Sequence, residues 1–411
     1  MANLLFKRLL PVSSQTLYNW HASGGAFSRL APPWQDIRIT QWLGGERTRN
    51  QEPTTQFGDI SKGAKVSLRS YLGPFYLTVL AQHDAHVLNS HFTDNMTRGP
   101  FSKWRHTHHF KTVSEDASIL EDQIEYELPF PRVTQWANPI AEGELRRMFA
   151  FRHWRTHRDL LFHQSTSQQS SLKVLIAGES HLSYQFGALL KNGGHEPTFV
   201  RHRPTEMYAH VLWDELSLFE SKGRPFDGVV FFGGFRGRSF NSRETRQRER
   251  LIKWMCAQQQ RPQVWVATGQ TEKSTELSVL EKNQIRGFFP STGALFDAGH
   301  LLFPRQHFRQ KKDICGEWCS LDDWLELILR SLFNGDFEGS LHALASEPLR
   351  RLSFKGSGLR VSNLPKPIPV QVANIMFPAL FLEKGVHGVG RVKPYRMPDT
   401  IEESLSWEEK I

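Results

Sequence analysis

Cysteine is scarce in this chain of 411 residues: only Cys256, Cys315 and Cys319 occur. Three thiols exclude a disulfide framework and predict a reducing, cytoplasmic setting. Cys315 and Cys319 have the spacing of half a zinc site, but no second ligand pair accompanies them, so no metal is expected there. Long apolar runs are missing as well. The longest candidates, Leu172–Ala177 and Gly228–Phe232, are strand-length, far short of the ~18 residues that cross a bilayer. The opening residues carry Lys7 and Arg8 among leucines and lack a small-residue cleavage site, so they do not read as a secretory signal. Nor is charge of one sign in large excess. The net charge is +9 from 51 Lys+Arg and 42 Asp+Glu. Its densest parts, Arg146 to Arg158 and Arg236 to Arg250, fall on helical patterns, which predicts solvated helix faces and no membrane span; nucleic-acid binding rests on charge alone. What is present is a globular composition, 39% hydrophobic and 12% aromatic, at a length for two or three domains.

The clearest boundary is the polar stretch 164–171, which reads as a linker. It divides residues 1–163, where period-2 patterns dominate, from 172–345, where short apolar strands alternate with helical segments; 346–411 forms a small C-terminal subdomain.

In the first half a helix is expected around Ser14–Ser23, and Val66 to Leu72 and Phe75 to Ala81 form a hairpin about Gly73-Pro74. On one later strand Trp104, His106, His108 and Phe110 share a face. On the next, Leu120, Asp122, Ile124, Tyr126 and Leu128 share a face, opposite the solvent face of Glu121, Gln123, Glu125 and Glu127. A long helix, about Glu142 to Phe162, ends the half with Leu145, Met148, Phe149 and Trp154 inward. The sum is an α+β domain, a curved antiparallel sheet closed over a long C-terminal helix. Polar residues on the inner face must bond one another in a core or line a wet cavity. Trp104, His106, His108, Asp122 and Tyr126 are the candidate cavity residues. Alternation allows only His106 and His108, not His109, to share an ion, and no metal site is assigned.

The strings Phe27-Ser28-Arg29-Leu30-Ala31-Pro32-Pro33-Trp34, Trp104-Arg105-His106-Thr107-His108-His109-Phe110 and Met148-Phe149-Ala150-Phe151-Arg152-His153 resemble motifs of the polyketide cyclase/START-type ligand-binding family. The resemblance runs over most of residues 1–163. It implies a helix-grip fold enclosing a cavity for an apolar small molecule.

In the second half Lys173–Ala177, Thr198–Val200, Asp227–Phe232 and Val264–Ala267 read as buried strands, with helices near Tyr184–Lys191 and Ser242–Gln259. This alternation predicts a Rossmann-like α/β fold, a doubly wound parallel sheet whose ligands sit beyond the strand C-termini. Dinucleotide binding asks for glycines there, so that backbone can approach a pyrophosphate at a helix N-terminus. The loop reads Gly178-Glu179-Ser180-His181-Leu182-Ser183-Tyr184, with His181 and Tyr184 where the second and third glycines belong. After the next strand come Arg201 and Arg203, with no carboxylate for a ribose hydroxyl, so an NADP 2′-phosphate is the better match; two solvated arginines are the alternative. Gly233 and Gly234 complete the candidate cofactor edge.

The order Val174-Leu175-Ile176-Ala177-Gly178, Gly194-His195-Glu196, Asp227 to Gly234 and Trp318 to Asp323 resembles the epimerase-like branch of the short-chain dehydrogenase/reductase superfamily, with the tail from Leu364 to Arg396 similar to its C-terminal domain. The resemblance implies an NAD(P)-dependent epimerase/dehydratase-like ancestry. That superfamily uses a tyrosine acid with a lysine four residues on. None of the seven tyrosines here has that lysine, and none lies between Tyr208 and Tyr395. After the Val264–Ala267 strand only Thr268, Glu272 and Lys273 offer polar groups, and no catalytic residue is assigned. The leading expectation is a binder of an apolar small molecule whose nucleotide fold has degraded motifs. The alternative is a working NADP-dependent epimerase or oxidoreductase on a small hydrophobic or sugar-like substrate.

Overall fold

A computed structural model describes residues 1–45, 58–72, 75–205, 207–220, 223–233, 242–268, 274–292, 294–297, 300–303, 318–333, 339–343, 353–355, 358–360 and 368–369. Gly73-Pro74, Gly234, Glu272, Lys273, Cys315 and nearly all of 346–411, including the expected subdomain, lie outside these residues. The chain divides into two compact units, one built from Met1–Ser167 and one beginning at Gln168.

The first unit runs β1 (Ala2–Leu10), α1 (Ser14–His21), α2 (Ala26–Leu30), β2 (Asp36–Leu43), β3 (Lys65–Leu72), β4 (Phe75–Val87), β5 (His91–Arg98), β6 (Lys103–Thr112), β7 (Ser118–Glu127), α3 (Pro131–Thr134) and α4 (Asn138–Ser165). Its sheet has the order β1-β7-β6-β5-β4-β3-β2, antiparallel throughout. Apolar alternation makes the strands. Leu4, Phe6 and Leu10 of β1 are buried, and a second apolar set on Ile124 and Tyr126 meets Leu145, Met148 and Phe149 of α4. Ser13 caps α1 by accepting from the Thr16 amide. No described helix is long and apolar enough to cross a membrane.

Three arginines of α4 depart from the solvated face that the spacing of Arg146 to Arg158 predicts, while Arg146 keeps to it. Arg147, Arg155 and Arg158 are buried. Arg147 stacks 3.9 Å over the Trp34 ring and Arg155 4.8 Å over Phe151, so aromatic faces take the place of water around their guanidinium planes. Arg29 and Asp159 form a sealed bidentate pair at 2.8 and 2.6 Å. Glu121, expected on the solvent face, is buried under Lys7 and Lys111 at 3.2 and 2.7 Å.

The second unit runs β8 (Lys173–Ala177), α5 (His181–Asn192), β9 (Glu196–Arg201), β10 (Ala209–Leu212), β11 (Gly228–Phe232), α6 (Ser242–Ala257), β12 (Val264–Thr268), α7 (Ser274–Lys282), β13 (Arg286–Thr292), β14 (Ala294–Asp297), β15 (His300–Phe303), β16 (Trp318–Ser320), α8 (Leu321–Phe333) and β17 (Gly339–Ala343). Its main sheet has the order β10-β9-β8-β11-β12-β13-β17, all parallel. Strand order reverses between β8 and β11, the switch point of a doubly wound sheet. Leu175, Val229, Phe231 and Trp265 pack on Leu251 and Met255 of α6 and Leu280 of α7. On the opposite face Phe186 of α5 meets Phe232 at 5.5 Å. The basic helix α6 is likewise not wholly solvated: Arg248 is buried and pairs with Glu276 at 2.6 Å.

Candidate functional site

Register builds the first-unit cluster. β6 and β7 pair Trp104 with Tyr126, His106 with Ile124 and His108 with Asp122, while β5 sets Asp94 beside His106 and Phe92 beside His108. Because paired residues share a face, these side chains converge on one side of the sheet. His106 Nε2 stands 2.9 Å from Asp122 Oδ1, and its Nδ1 3.2 Å from Asp94 Oδ2. His108 Nδ1 lies 2.6 Å from Asp122 Oδ1, and His153 of α4 reaches Asp122 Oδ2 at 2.6 Å. Trp104 Nε1 donates to Asp94 Oδ1 at 3.3 Å. One carboxylate thus serves three imidazoles, inside a shell of Phe6, Phe92, Phe110 and Phe149.

The electrostatics follow from that arrangement. Burial alone would keep His106 neutral, but the flanking Asp94 and Asp122 carboxylates outweigh it and raise its pKa to about 9. Burial works to raise Asp94, and the His106 imidazolium overrides it, holding the acid near about 2. Asp122 is held well below the usual carboxylate range, against burial, by His108, His106 and His153. Burial and the neighbouring His106 charge push His108 down to about 4. At neutral pH His106 is therefore an imidazolium between two carboxylates, and His108 is neutral.

Some buried polar atoms on this side of the sheet are left over, His108 Nδ1 among them despite its closeness to Asp122. Tyr126, 1% exposed, has a hydroxyl without a hydrogen-bond partner among the described residues, and so does Nδ1 of His83, 8% exposed. His83 is the register partner of Asp94. The sequence reading singled out Trp104, His106, His108, Asp122 and Tyr126, and the structure brings them to one face. It missed Asp94, whose strand carries no clear alternation, and His83. His153 stood within a quoted motif without a role; only the fold brings it to Asp122.

In the second unit the loop after β8 is closed by its own side chains. Gly178 has φ +122°, and a Cβ there would stand 2.7 Å from the Phe232 carbonyl, so this glycine is required by the approach of β11 whatever binds. Ser180 caps α5: its Oγ accepts from the Ser183 amide at 3.3 Å, and the Ser180 amide donates to Ser183 Oγ at 3.0 Å. Glu179 Oε1 accepts from the His202 amide at 3.0 Å and lies 3.9 Å from Arg201 Nε. Arg201 also stacks over Tyr184 at 5.3 Å. His181 opens α5, and Leu182 is buried behind it. Arg203 is exposed, Gly233 is buried, and the His202 ring is met by Arg243 and Gln247 at 2.7 and 2.9 Å. Thr268 is buried at the end of β12, donating to the Phe231 carbonyl at 3.4 Å.

No family model matches this sequence, and no curated protein matches it. Among solved structures, the nucleoside-diphosphate sugar epimerase from Corynebacterium glutamicum superposes over 84% of this chain and 79% of its own, with 20% identity and a TM-score of 0.61. Norcoclaurine synthase from Thalictrum flavum matches 37% of this chain and 84% of its own, with 13% identity and a TM-score of 0.28. The Zhui aromatase/cyclase from Streptomyces sp. R1128 matches 39% and 93%, with 9% identity and a TM-score of 0.29. The chain shares the fold of the C. glutamicum nucleoside-diphosphate sugar epimerase over most of both lengths.

Proposed function

We propose that this chain binds an apolar small molecule in its first unit and that its second unit does not run dinucleotide chemistry. The Tyr126 hydroxyl, buried with no hydrogen-bond partner among the described residues, carries the first half of the reading. A buried hydroxyl without a partner costs free energy unless something bonds it. A ligand with one polar group among the surrounding aromatic rings would supply that bond. Fluorescence titration with naphthol, an aromatic with one hydroxyl, tests it. Saturable binding weakened about three- to tenfold by Tyr126→Phe is expected, the worth of one neutral hydrogen bond. Absence of binding, or binding indifferent to Tyr126→Phe, contradicts it.

The β8 loop carries the second half. A pyrophosphate at the α5 N-terminus would have to displace the Ser180–Ser183 capping box and sit beside the Glu179 carboxylate. His181 and Tyr184 would crowd it further. These residues do not fit an NAD(P) pyrophosphate. The second reading, an NADP-dependent epimerase, draws on the fold shared with the C. glutamicum enzyme and on Arg201 and Arg203 at the end of β9. Arg201 beside Glu179 weakens that support.

A further inference from the structure

We propose that Asp94, His106 and His108 form a binding site for a divalent transition-metal ion, oriented from behind by Asp122. The inference goes beyond the small-molecule reading and stands without it. The ligand atoms of the three residues lie within 4.8 Å of one another, close enough for one ion to reach all of them after small side-chain adjustments. Each histidine has one nitrogen set against the same carboxylate: His106 Nε2 is hydrogen-bonded to Asp122 Oδ1 at 2.9 Å, and His108 Nδ1 lies 2.6 Å from the same oxygen without hydrogen-bond geometry. His106 Nδ1, 3.2 Å from Asp94 Oδ2, is the nitrogen turned toward the third residue, and Nε2 is the His108 nitrogen not set against Asp122. A carboxylate behind a ligating imidazole is the usual way a protein sets its tautomer and aim. His-x-His on one strand puts both rings on the same face, and their centroids are 4.0 Å apart.

A buried polar atom lies close by. His83, the register partner of Asp94, has an Nδ1 with no hydrogen-bond partner among the described residues, but its ring is not one of the three groups that converge. Charge also balances. His106 must give up its Nδ1 proton to ligate; once it does, Asp94 and Asp122 together bring two negative charges, matching a divalent cation. Imidazole nitrogens with one carboxylate suit zinc and its first-row neighbours, whereas magnesium and calcium take all-oxygen sets. Asp94 keeps one-fifth of its side chain exposed, which gives an entry path from solvent.

The test is Zn²⁺ titration of the chelator-treated full-length protein, with Mg²⁺ as comparison and Co²⁺ as a spectroscopic stand-in. One equivalent of Zn²⁺ should bind and Mg²⁺ should not compete. Asp94→Asn and His108→Gln should each weaken binding at least tenfold, and Asp122→Asn tenfold to a hundredfold through lost orientation. His109→Gln is the control, because His109 and His91 form a neighbouring ring pair, 5.6 Å apart, on the opposite face. Should the inner-face variants not fold, X-ray absorption of the Zn²⁺-loaded His109→Gln protein decides: two or more imidazoles with oxygen support the site. An all-oxygen shell, no saturable binding, or binding lost in His109→Gln but kept in Asp94→Asn overturns it.

Discussion

Asp122 Oδ2 on β7 is held by His153 Nε2 of α4 at 2.6 Å, and this contact joins the long helix to the sheet through a buried charge. Asp122→Leu would leave the His106 imidazolium facing Asp94 alone, strip His153 of its acceptor and take the neighbouring carboxylate from His108. Removing one member of such a network costs about 3–5 kcal/mol. Urea unfolding of the full chain should show that loss in the first unit's transition, and a change below about 1 kcal/mol would mean the cluster is dispensable to the fold.

Arg29 and Asp159 make a second buried tie, between α2 and α4, both 1–2% exposed. Arg29→Met alone should destabilise by about 3–5 kcal/mol, because Asp159 is stranded. The double variant Arg29→Met, Asp159→Leu should recover most of that loss. A double-mutant cycle by denaturant unfolding checks it, and strict additivity would contradict the pairing.

His195 gives the second unit an acid-sensitive point. Its Nδ1 accepts from the Leu172 amide at 3.1 Å, and burial, aided by Arg224, lowers its pKa to about 4. The folded value lies below the unfolded 6.5 or so, so the unfolded state takes up the proton first as pH falls. Stability should therefore be full above pH about 6.5, decline down to about 4, and level off below. About 3 kcal/mol is at stake, and His195→Gln should remove this part of the slope. Unfolding free energies across that window decide it.

Ser180→Ala should cost about 1 kcal/mol by removing the α5 cap. Hydrogen exchange of the first-turn amides of α5 should speed up accordingly, while the amides of β12 stay protected.

Much of this architecture was legible in the sequence because periodicity carries it. The β8 segment Lys173–Ala177 and the His106/Asp122 faces follow from period 2 and from short apolar runs flanked by glycine. What escaped is what depends on distant partners. β1 gets no strand reading from the sequence, and it is the residue-by-residue pairing with β7 that makes it one. Arg155 reads as solvated until Phe151 and Trp154 are seen beneath it. Arg29 and Asp159 stand 130 positions apart, and no local pattern links them. Asp94 and His83 went unnoticed as site residues because β-bulges in the β4–β5 pairing break the alternation there.

The central claim about the second unit is that the Ser180 cap and the Glu179 carboxylate have taken over the dinucleotide loop. Calorimetric titration of the intact protein with NADPH, and with NADH for comparison, tests it most directly. The account predicts no saturable heat with either at several temperatures, and weak NADPH binding emerging in the variant Glu179→Gly, His181→Gly. Micromolar binding of NADPH to the unaltered chain would contradict it.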